Sequence, residues 1–107
     1  MAYTTFEIKK YQYAMFSSGD GGTKVTLFDI GGVNIATAYF RPDSESLPGA
    51  HLDSRGIYRL YFRRSTLSDF IDLIRNESPV YLHFWNGSGN NTHISTGREP
   101  VGEGEAI

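Results

Sequence analysis

The chain has 107 residues, a formal net charge of −2 and 39% hydrophobic residues. This length predicts one domain with a core of modest size, and the composition excludes a disordered chain or one made of membrane-spanning segments. The slightly acidic charge argues against a surface devoted to nucleic acid, and the lack of cysteine excludes disulfides and thiolate zinc sites.

The first predicted element is a strand over Phe6–Phe16, where the residues alternate without proline or glycine and many are aromatic. A polar, glycine-dense turn follows at residues 17–22. Two further strands, Lys24–Ile30 and Val33–Phe40, flank the pair Gly31-Gly32. We expect a tight two-residue hairpin there, because glycine supplies the positive φ that such turns require.

A long loop is predicted over Arg41–Arg55, where two prolines and a glycine interrupt the alternation. We expect an ordered crossing loop, since long loops in compact domains are either functional or disordered. The strand Gly56–Arg64 follows, with Tyr58, Leu60 and Phe62 on the face predicted to be core. Its other face mixes arginine with aromatic residues, which indicates either a solvated surface or a ligand platform.

One helix is predicted over Ser65–Glu77 because its apolar residues recur with helical spacing. These residues form one stripe: Leu67, Phe70, Ile71 and Ile74. Thr66 and Asp69 have the spacing of a capping box, and Pro79 ends the helix.

The final predicted element is a hairpin whose first strand, Val80–Asn86, alternates apolar residues with tyrosine, histidine and tryptophan. A loop rich in glycine and asparagine leads to a short edge strand, Asn91–Thr96, so His83 and His93 could face one another. The order of elements predicts an α+β fold, a curved antiparallel sheet of about six strands with one helix packed across it. We expect a single domain over residues 1–107, with an acidic tail from about residue 99.

No catalytic constellation is recognisable in the sequence. A metal site formed by His83 and His93 would need a carboxylate, and their hairpin contains none. Ser88 and Ser95 lack the surroundings of a known nucleophile motif. We therefore expect a protein that is not an enzyme and needs no cofactor.

Recognition of an anionic ligand has more support. Aromatic rings stack on a purine, guanidinium groups pair with phosphates, and amide or hydroxyl groups read a base edge or a ribose. The residues that offer these groups are Phe84, Trp85, Asn90, Asn91, Thr92, Arg98, Arg55 and Arg59. Each also has a structural explanation as part of a core, a turn or a solvated face. Together they predict a nucleotide-like ligand.

The long loop, the segments GIYRLYF and PVYLHFW, the helix and the ending ISTGREPVGEGE resemble the small phage-encoded Thoeris anti-defence proteins, the first-described family of signal sponges. The resemblance covers most of the chain after about Lys24. It implies a non-catalytic protein that sequesters a cyclic ADP-ribose isomer made by a host TIR-domain enzyme, and some members also bind cyclic oligonucleotides. It also implies a dimer or hexamer, an adenine-stacking ring at Phe84 or Trp85, an amide near Asn91, and arginines on the pyrophosphate.

The amino-terminal segment MAYTTFEIKK lacks the apolar stretch of a secretory signal, so we expect a cytoplasmic protein with no DNA or membrane partner. The alternative is a structural or protein-interaction module. In that interpretation the aromatic strands form a homo-oligomer interface and the arginine-rich face docks an acidic partner. An enzyme acting on a nucleotide ranks third.

Overall fold

The computed structural model describes residues 2–17, 22–87 and 90–98. Within these ranges a short 3-10 turn at Arg64–Thr66 precedes one α-helix, α1 (Leu67–Asn76). The strands are β1 (Tyr3–Ile8), β2 (Lys10–Met15), β3 (Thr23–Phe28), β4 (Asn34–Arg41), β5 (His51–Leu52), β6 (Tyr58–Arg63), β7 (Val80–Trp85) and β8 (His93–Thr96). The predicted acidic tail and most of the turn at residues 17–22 lie outside the described residues.

The strands form two sheets. One has three strands in the order β1-β7-β8, and the other has five in the order β2-β3-β4-β6-β5. β4 and β6 are parallel, and the remaining pairs are antiparallel. The predicted α+β class and single helix are confirmed, with eight described strands in two sheets instead of about six in one.

The prediction of one strand over Phe6–Phe16 is wrong, because the chain changes sheets at Lys9. β1 ends with Ile8 paired to β7, and β2 begins with Lys10 paired to β3. The Lys9 N–H donates to the Phe28 carbonyl at 2.9 Å, which fixes the corner. Bent strands that pass from one sheet to another are a common way to build such corners.

The hairpin between β3 and β4 is confirmed, but the predicted two-residue turn is wrong. Gly32 has φ +83°, and Gly31 does not have a positive φ. The Gly32 N–H donates to the Asp29 carbonyl at 3.0 Å, and Asp29 Oδ1 accepts from the N–H groups of Gly31 and Val33, each at 2.9 Å. This is a three-residue loop in which one left-handed glycine closes the turn.

The same turn recurs between β5 and β6. Gly56 has φ +83° and donates its N–H to the Asp53 carbonyl at 3.1 Å. Asp53 Oδ1 accepts from the N–H groups of Arg55 at 2.8 Å and Ile57 at 3.0 Å. The pattern Asp-x-x-Gly followed by valine or isoleucine therefore builds two hairpins of this fold.

The crossing loop between β4 and β6 is ordered, as expected. Arg63 Nη1 donates to the carbonyl oxygens of Asp43 at 2.6 Å and Glu45 at 3.2 Å. The Ser65 N–H donates to Asp43 Oδ1 at 3.0 Å, and this hydrogen bond is the main reason that the pKa of Asp43 is lowered. The loop is thereby tied to the end of β6.

The core lies between the two sheets and beneath α1. Its buried hydrophobic side chains come from both sheets and the helix: Ile8, Val25, Leu27, Ile35, Ala36, Ala38, Phe40, Leu60, Phe70, Val80 and Leu82. The Phe70 ring of α1 lies 5.1 Å from Phe40, while Tyr58 lies 5.4 Å from Phe6 and 4.5 Å from Phe84. The inner face of the five-stranded sheet thus packs on α1 and on the three-stranded sheet.

The helix packs through the predicted stripe, Leu67, Phe70, Ile71 and Ile74. The predicted capping box is wrong, because the Thr66 hydroxyl donates to the Arg63 carbonyl at 2.7 Å and no side-chain cap forms with Asp69. No helix within the described ranges is long and apolar enough to cross a membrane.

Candidate functional site

The outer face of the five-stranded sheet carries rings and positive charges. Strand register places Tyr39 beside Lys24 and Tyr61, and places Arg59 beside His51. These residues alternate with core residues on the same strands, so their side chains share the face turned away from the core. We call this surface the cationic face and define it by Lys24, Tyr39, Arg41, His51, Arg59 and Tyr61.

Three rings form a row across β4, β6 and β5. Tyr39 and Tyr61 have ring centroids 5.5 Å apart and planes 20° apart, and Tyr61 and His51 are 5.9 Å and 22° apart. The Arg59 guanidinium lies 5.6 Å from the Tyr39 centroid, and Arg59 Nη1 donates to the Tyr39 hydroxyl. Arg59 therefore braces the Tyr39 end of the row.

Asp53 fixes the position of Arg59. Both Nε and Nη2 of Arg59 lie 2.8 Å from Asp53 Oδ2, and the two side chains are only 19% and 15% exposed. The Ile57 N–H, then the Arg55 N–H and the Arg59 side chain, lower the pKa of Asp53 to about 2. Arg59 is thus partly neutralised, whereas the Arg55 side chain is 69% exposed and lies 4.0 Å from Asp53.

Two surface hollows meet on this face at Tyr39 and Arg41. One of about 250 Å³ is also lined by three residues of the cationic face: His51, Arg59 and Tyr61. The other, of about 230 Å³, is also lined by Phe16, Gly22, Thr23, Lys24 and Phe40. Lys24 Nζ lies 5.6 Å from the Phe16 ring centroid. Each hollow is smaller than a typical ligand pocket of roughly 300–1,000 Å³, but the two together reach that range.

The structure separates the two aromatic residues predicted to stack on a base. Phe84 points toward the inter-sheet core, where its ring lies 4.5 Å from Tyr58. Trp85 points to the outer face of the three-stranded sheet, where its ring lies 4.8 Å from Tyr3. Phe84 and Trp85 therefore face opposite sides of β7 and belong to different surroundings.

The predicted amide and hydroxyl residues lie near the turn between β7 and β8. Thr92 Oγ1 accepts from the Trp85 N–H at 3.0 Å, and the Asn91 carbonyl accepts from His93 Nδ1 at 2.9 Å. Asn90 and Thr92 line a cavity of about 170 Å³ with residues of the crossing loop and β6: Pro48, Ala50, Leu60, Tyr61 and Phe62. Tyr61 therefore links this cavity to the cationic face, whereas Arg98 is exposed beyond β8.

The outer face of the three-stranded sheet is a second polar surface, which we call the histidine face. It comprises Tyr3, Thr5, Glu7, Tyr81, His83, Trp85, His93 and Ser95, paired across the strands. His83 and His93 face one another as expected, with ring centroids 4.7 Å apart and planes 25° apart. Burial, and then the charge of His93, lower the pKa of His83. Among the described residues, no three histidine or carboxylate side chains come together to hold a metal ion.

No family model, curated protein or solved structure matches this chain. Of the predicted site residues, Arg59 alone belongs to the cationic face, with Arg55 beside it and the Asn90–Thr92 cavity adjoining it at Tyr61. Sequence reasoning missed Lys24, Tyr39, Arg41, His51 and Tyr61 as site residues. The available signal was the mixture of arginine and aromatic residues on the outer side of β6.

Proposed function

We propose that this protein is a non-enzymatic binding protein that sequesters an anionic, nucleotide-derived signal on the cationic face. The observation that carries the proposal is the row of nearly parallel rings beside two hollows that are both lined by Tyr39 and Arg41. Aromatic stacking contributes about 1–3 kcal/mol per base, and arginine pairs favourably with phosphate. The rings can stack on a base, and Arg41 beside them can pair with a phosphate.

Arg41 is the side chain best placed to take a phosphate. Its Nε lies 3.2 Å from Glu45 Oε1, and both side chains are well exposed, at 45% and 39%. Exposed ion pairs contribute only about 0–1 kcal/mol, so a phosphate displaces Glu45 at small cost. Arg59, in contrast, is held by Asp53 and the Tyr39 hydroxyl, and it acts mainly to brace the rings.

A ligand with two ring-bearing halves joined by phosphate groups suits two hollows that meet at Arg41. The resemblance to Thoeris anti-defence proteins supplies the specific candidate, a cyclic ADP-ribose isomer. In this proposal the protein acts in the cytoplasm of a phage-infected host and keeps the signal from its effector. Sequestration breaks no bond in the ligand, so we expect the ligand to be released unaltered.

Calorimetric titration with cyclic ADP-ribose isomers, followed by heating and analysis of the released ligand, tests this function. We expect Arg41→Gln and Tyr61→Leu each to weaken binding by about tenfold or more, which corresponds to about 1.4 kcal/mol. The matched controls are Arg75→Gln on the exposed side of α1 and Tyr81→Leu on the other sheet. Both controls should bind as tightly as the unmodified protein.

Three results would count against the proposal. Failure to retain any isomer would contradict the proposed sequestration. Recovery of cleaved ligand would indicate an enzyme. Loss of binding in Phe84→Ala with Trp85→Ala, while Arg41→Gln binds normally, would move the ligand to the three-stranded sheet. These outcomes separate the proposed activity from the proposed location.

A protein-interaction role is favoured by one specific observation at β2. This edge strand and the residue that follows it expose large side chains, with Tyr11 37%, Tyr13 40%, Met15 73% and Phe16 49% exposed. Unpaired edges of this kind readily pair with another chain. We propose that a second copy pairs through β2, which agrees with the dimer or hexamer implied by the resemblance. Light scattering of Tyr13→Lys should then show a smaller assembly, and an unchanged mass would contradict pairing at β2.

A further inference from the structure

We propose that Ser95 on the histidine face is an activated hydroxyl that accepts an acyl group from small activated aryl esters, with His83 as its base. This site lies on the three-stranded sheet and does not depend on ligand binding at the cationic face. It uses a set of hydrogen bonds that the proposed sponge function leaves without a role.

Ser95, His83 and Thr5 form a hydrogen-bond relay across three adjacent strands. His83 Nε2 lies 2.8 Å from Ser95 Oγ on β8, and His83 Nδ1 lies 3.1 Å from Thr5 Oγ1 on β1. Both distances fall within the roughly 2.6–3.2 Å expected between a nucleophile, its base and an orienting group. When Ser95 donates to Nε2, the neutral imidazole carries its hydrogen on Nδ1 and donates to Thr5. Thr5 therefore acts as a positioning residue.

The surroundings keep His83 in the form that a base requires. Its ring is half-buried and lies 4.7 Å from the ring of His93, and burial, followed by the charge of His93, lowers its pKa. Tyr3 approaches both imidazoles, at 6.1 Å from His83 and 5.5 Å from His93, and Tyr81 lies 6.1 Å from His83. Neutral imidazole at pH 7 leaves Nε2 free to accept the serine proton.

The rings around Ser95 indicate the substrate class. Trp85 and Tyr3 lie 4.8 Å apart on the same face, and Tyr3 is 45% exposed. Their ring planes are tilted 54° to each other, and the pair offers an apolar aromatic contact to an aryl leaving group. We therefore assign activated aryl esters, which need little further stabilisation of the departing oxygen.

The step is a single acyl transfer. Ser95 Oγ forms a bond to the acyl carbon, the bond between that carbon and the aryl oxygen breaks, and the aryl oxide leaves with the electron pair. The serine proton passes to His83 Nε2 and then to solvent. The products are an ester at Ser95, the aryl oxide and one proton released to solvent, with no other reactant consumed.

The probe is p-nitrophenyl acetate, followed by release of p-nitrophenolate and by peptide mass mapping. We expect one acetyl group at Ser95 and a rate at least about tenfold lower in Ser95→Ala and His83→Gln. Ser68→Ala, which removes an exposed serine of α1, should react at the normal rate. Acetylation confined to lysines, or equal labelling of Ser68 and Ser95, would overturn the proposal.

Substitutions of Thr5 test the proposal even if His83→Gln does not fold. Thr5→Val removes the hydroxyl that orients the imidazole, so the acetylation rate should fall and the midpoint of its pH profile should shift. Thr5→Ser keeps the hydroxyl and should restore both. Equal rates and equal pH profiles in the valine, serine and unmodified proteins would show that the relay does not activate Ser95.

Discussion

Replacing Gly56 by alanine tests the turn that holds Asp53 beside the cationic face. Gly56 has φ +83°, in the left-handed region that side chains disfavour, and an added Cβ would meet no heavy atom within 4 Å. The whole cost is therefore conformational, and we expect the free energy of unfolding to fall by about 1–2 kcal/mol. Gly32→Ala should behave in the same way, because its φ and its surroundings are the same.

Gly31 provides the matched control within the same hairpin. It has no positive φ, and an added Cβ would lie 3.5 Å from Asp29 Oδ1, an ordinary contact. Alanine there restricts the unfolded chain without straining the folded one, so we expect no loss of stability or a gain of about 0.4–1 kcal/mol. Gly31→Ala and Gly32→Ala should therefore have different effects although they are neighbours.

Urea unfolding followed by fluorescence of the single tryptophan, Trp85, measures these differences. With a slope of about 2 kcal/mol per molar urea, the midpoint for Gly56→Ala and Gly32→Ala should fall by about 0.5–1 M at constant slope. If Gly31→Ala cost as much as Gly32→Ala, the turn would be the two-residue type and the three-residue description would be wrong. An unchanged midpoint in Gly56→Ala would refute its left-handed conformation.

Three further predictions concern the core and two titrating groups. Phe70→Ala should lower the free energy of unfolding by about 3–5 kcal/mol in the same assay, whereas Phe16→Ala, at an exposed position, should change it little. The lowered pKa of Asp53 stabilises the fold above pH 3.8, so the stability gap between the unmodified protein and Asp53→Asn should close as pH falls through about 2. The pKa of His83 is lowered from 6.5, so the unfolded state binds a proton more readily and the free energy of unfolding should fall as pH drops below 6.5. In His83→Gln, the free energy of unfolding should fall less over the same pH range. A gap that widened in acid for Asp53→Asn, or an equal fall in His83→Gln, would contradict these assignments.

Local patterns in the sequence predict the helix and both C-terminal strands well. The stripe through Phe70 has helical spacing, and the alternation over Val80–Trp85 marks a strand with two different faces. The corner at Lys9 is different, because the core side of the sheet carries even-numbered residues in β1 and, by register with the buried Val25 and Leu27, odd-numbered residues in β2. In the sequence, this change shows as aromatic residues at both even and odd positions of Phe6–Phe16. Alternation alone does not reveal which sheet a strand joins.

The cationic face was harder to predict because its residues come from separate strands. Arg59 and Tyr61 alternate with core residues on β6, but Tyr39 and Lys24 meet them only through strand register. The parallel pairing of β4 with β6 is set by the crossing loop, and no short-range pattern encodes it. Trp85, in contrast, lies with His83 on the outer side of β7, where strand register pairs it with Tyr3.

The pairing of β1 with β7 joins parts of the chain that are far apart in sequence, with Tyr3 opposite Trp85. During synthesis, β1 leaves the ribosome early and has no partner until β7 follows. Contacts of such long sequence separation slow folding. The strands that carry the cationic face are complete once Arg63 has been made, so this surface can form first. Ser95 can meet His83 only after both have been made and β8 has paired, so the acyl-acceptor site matures last.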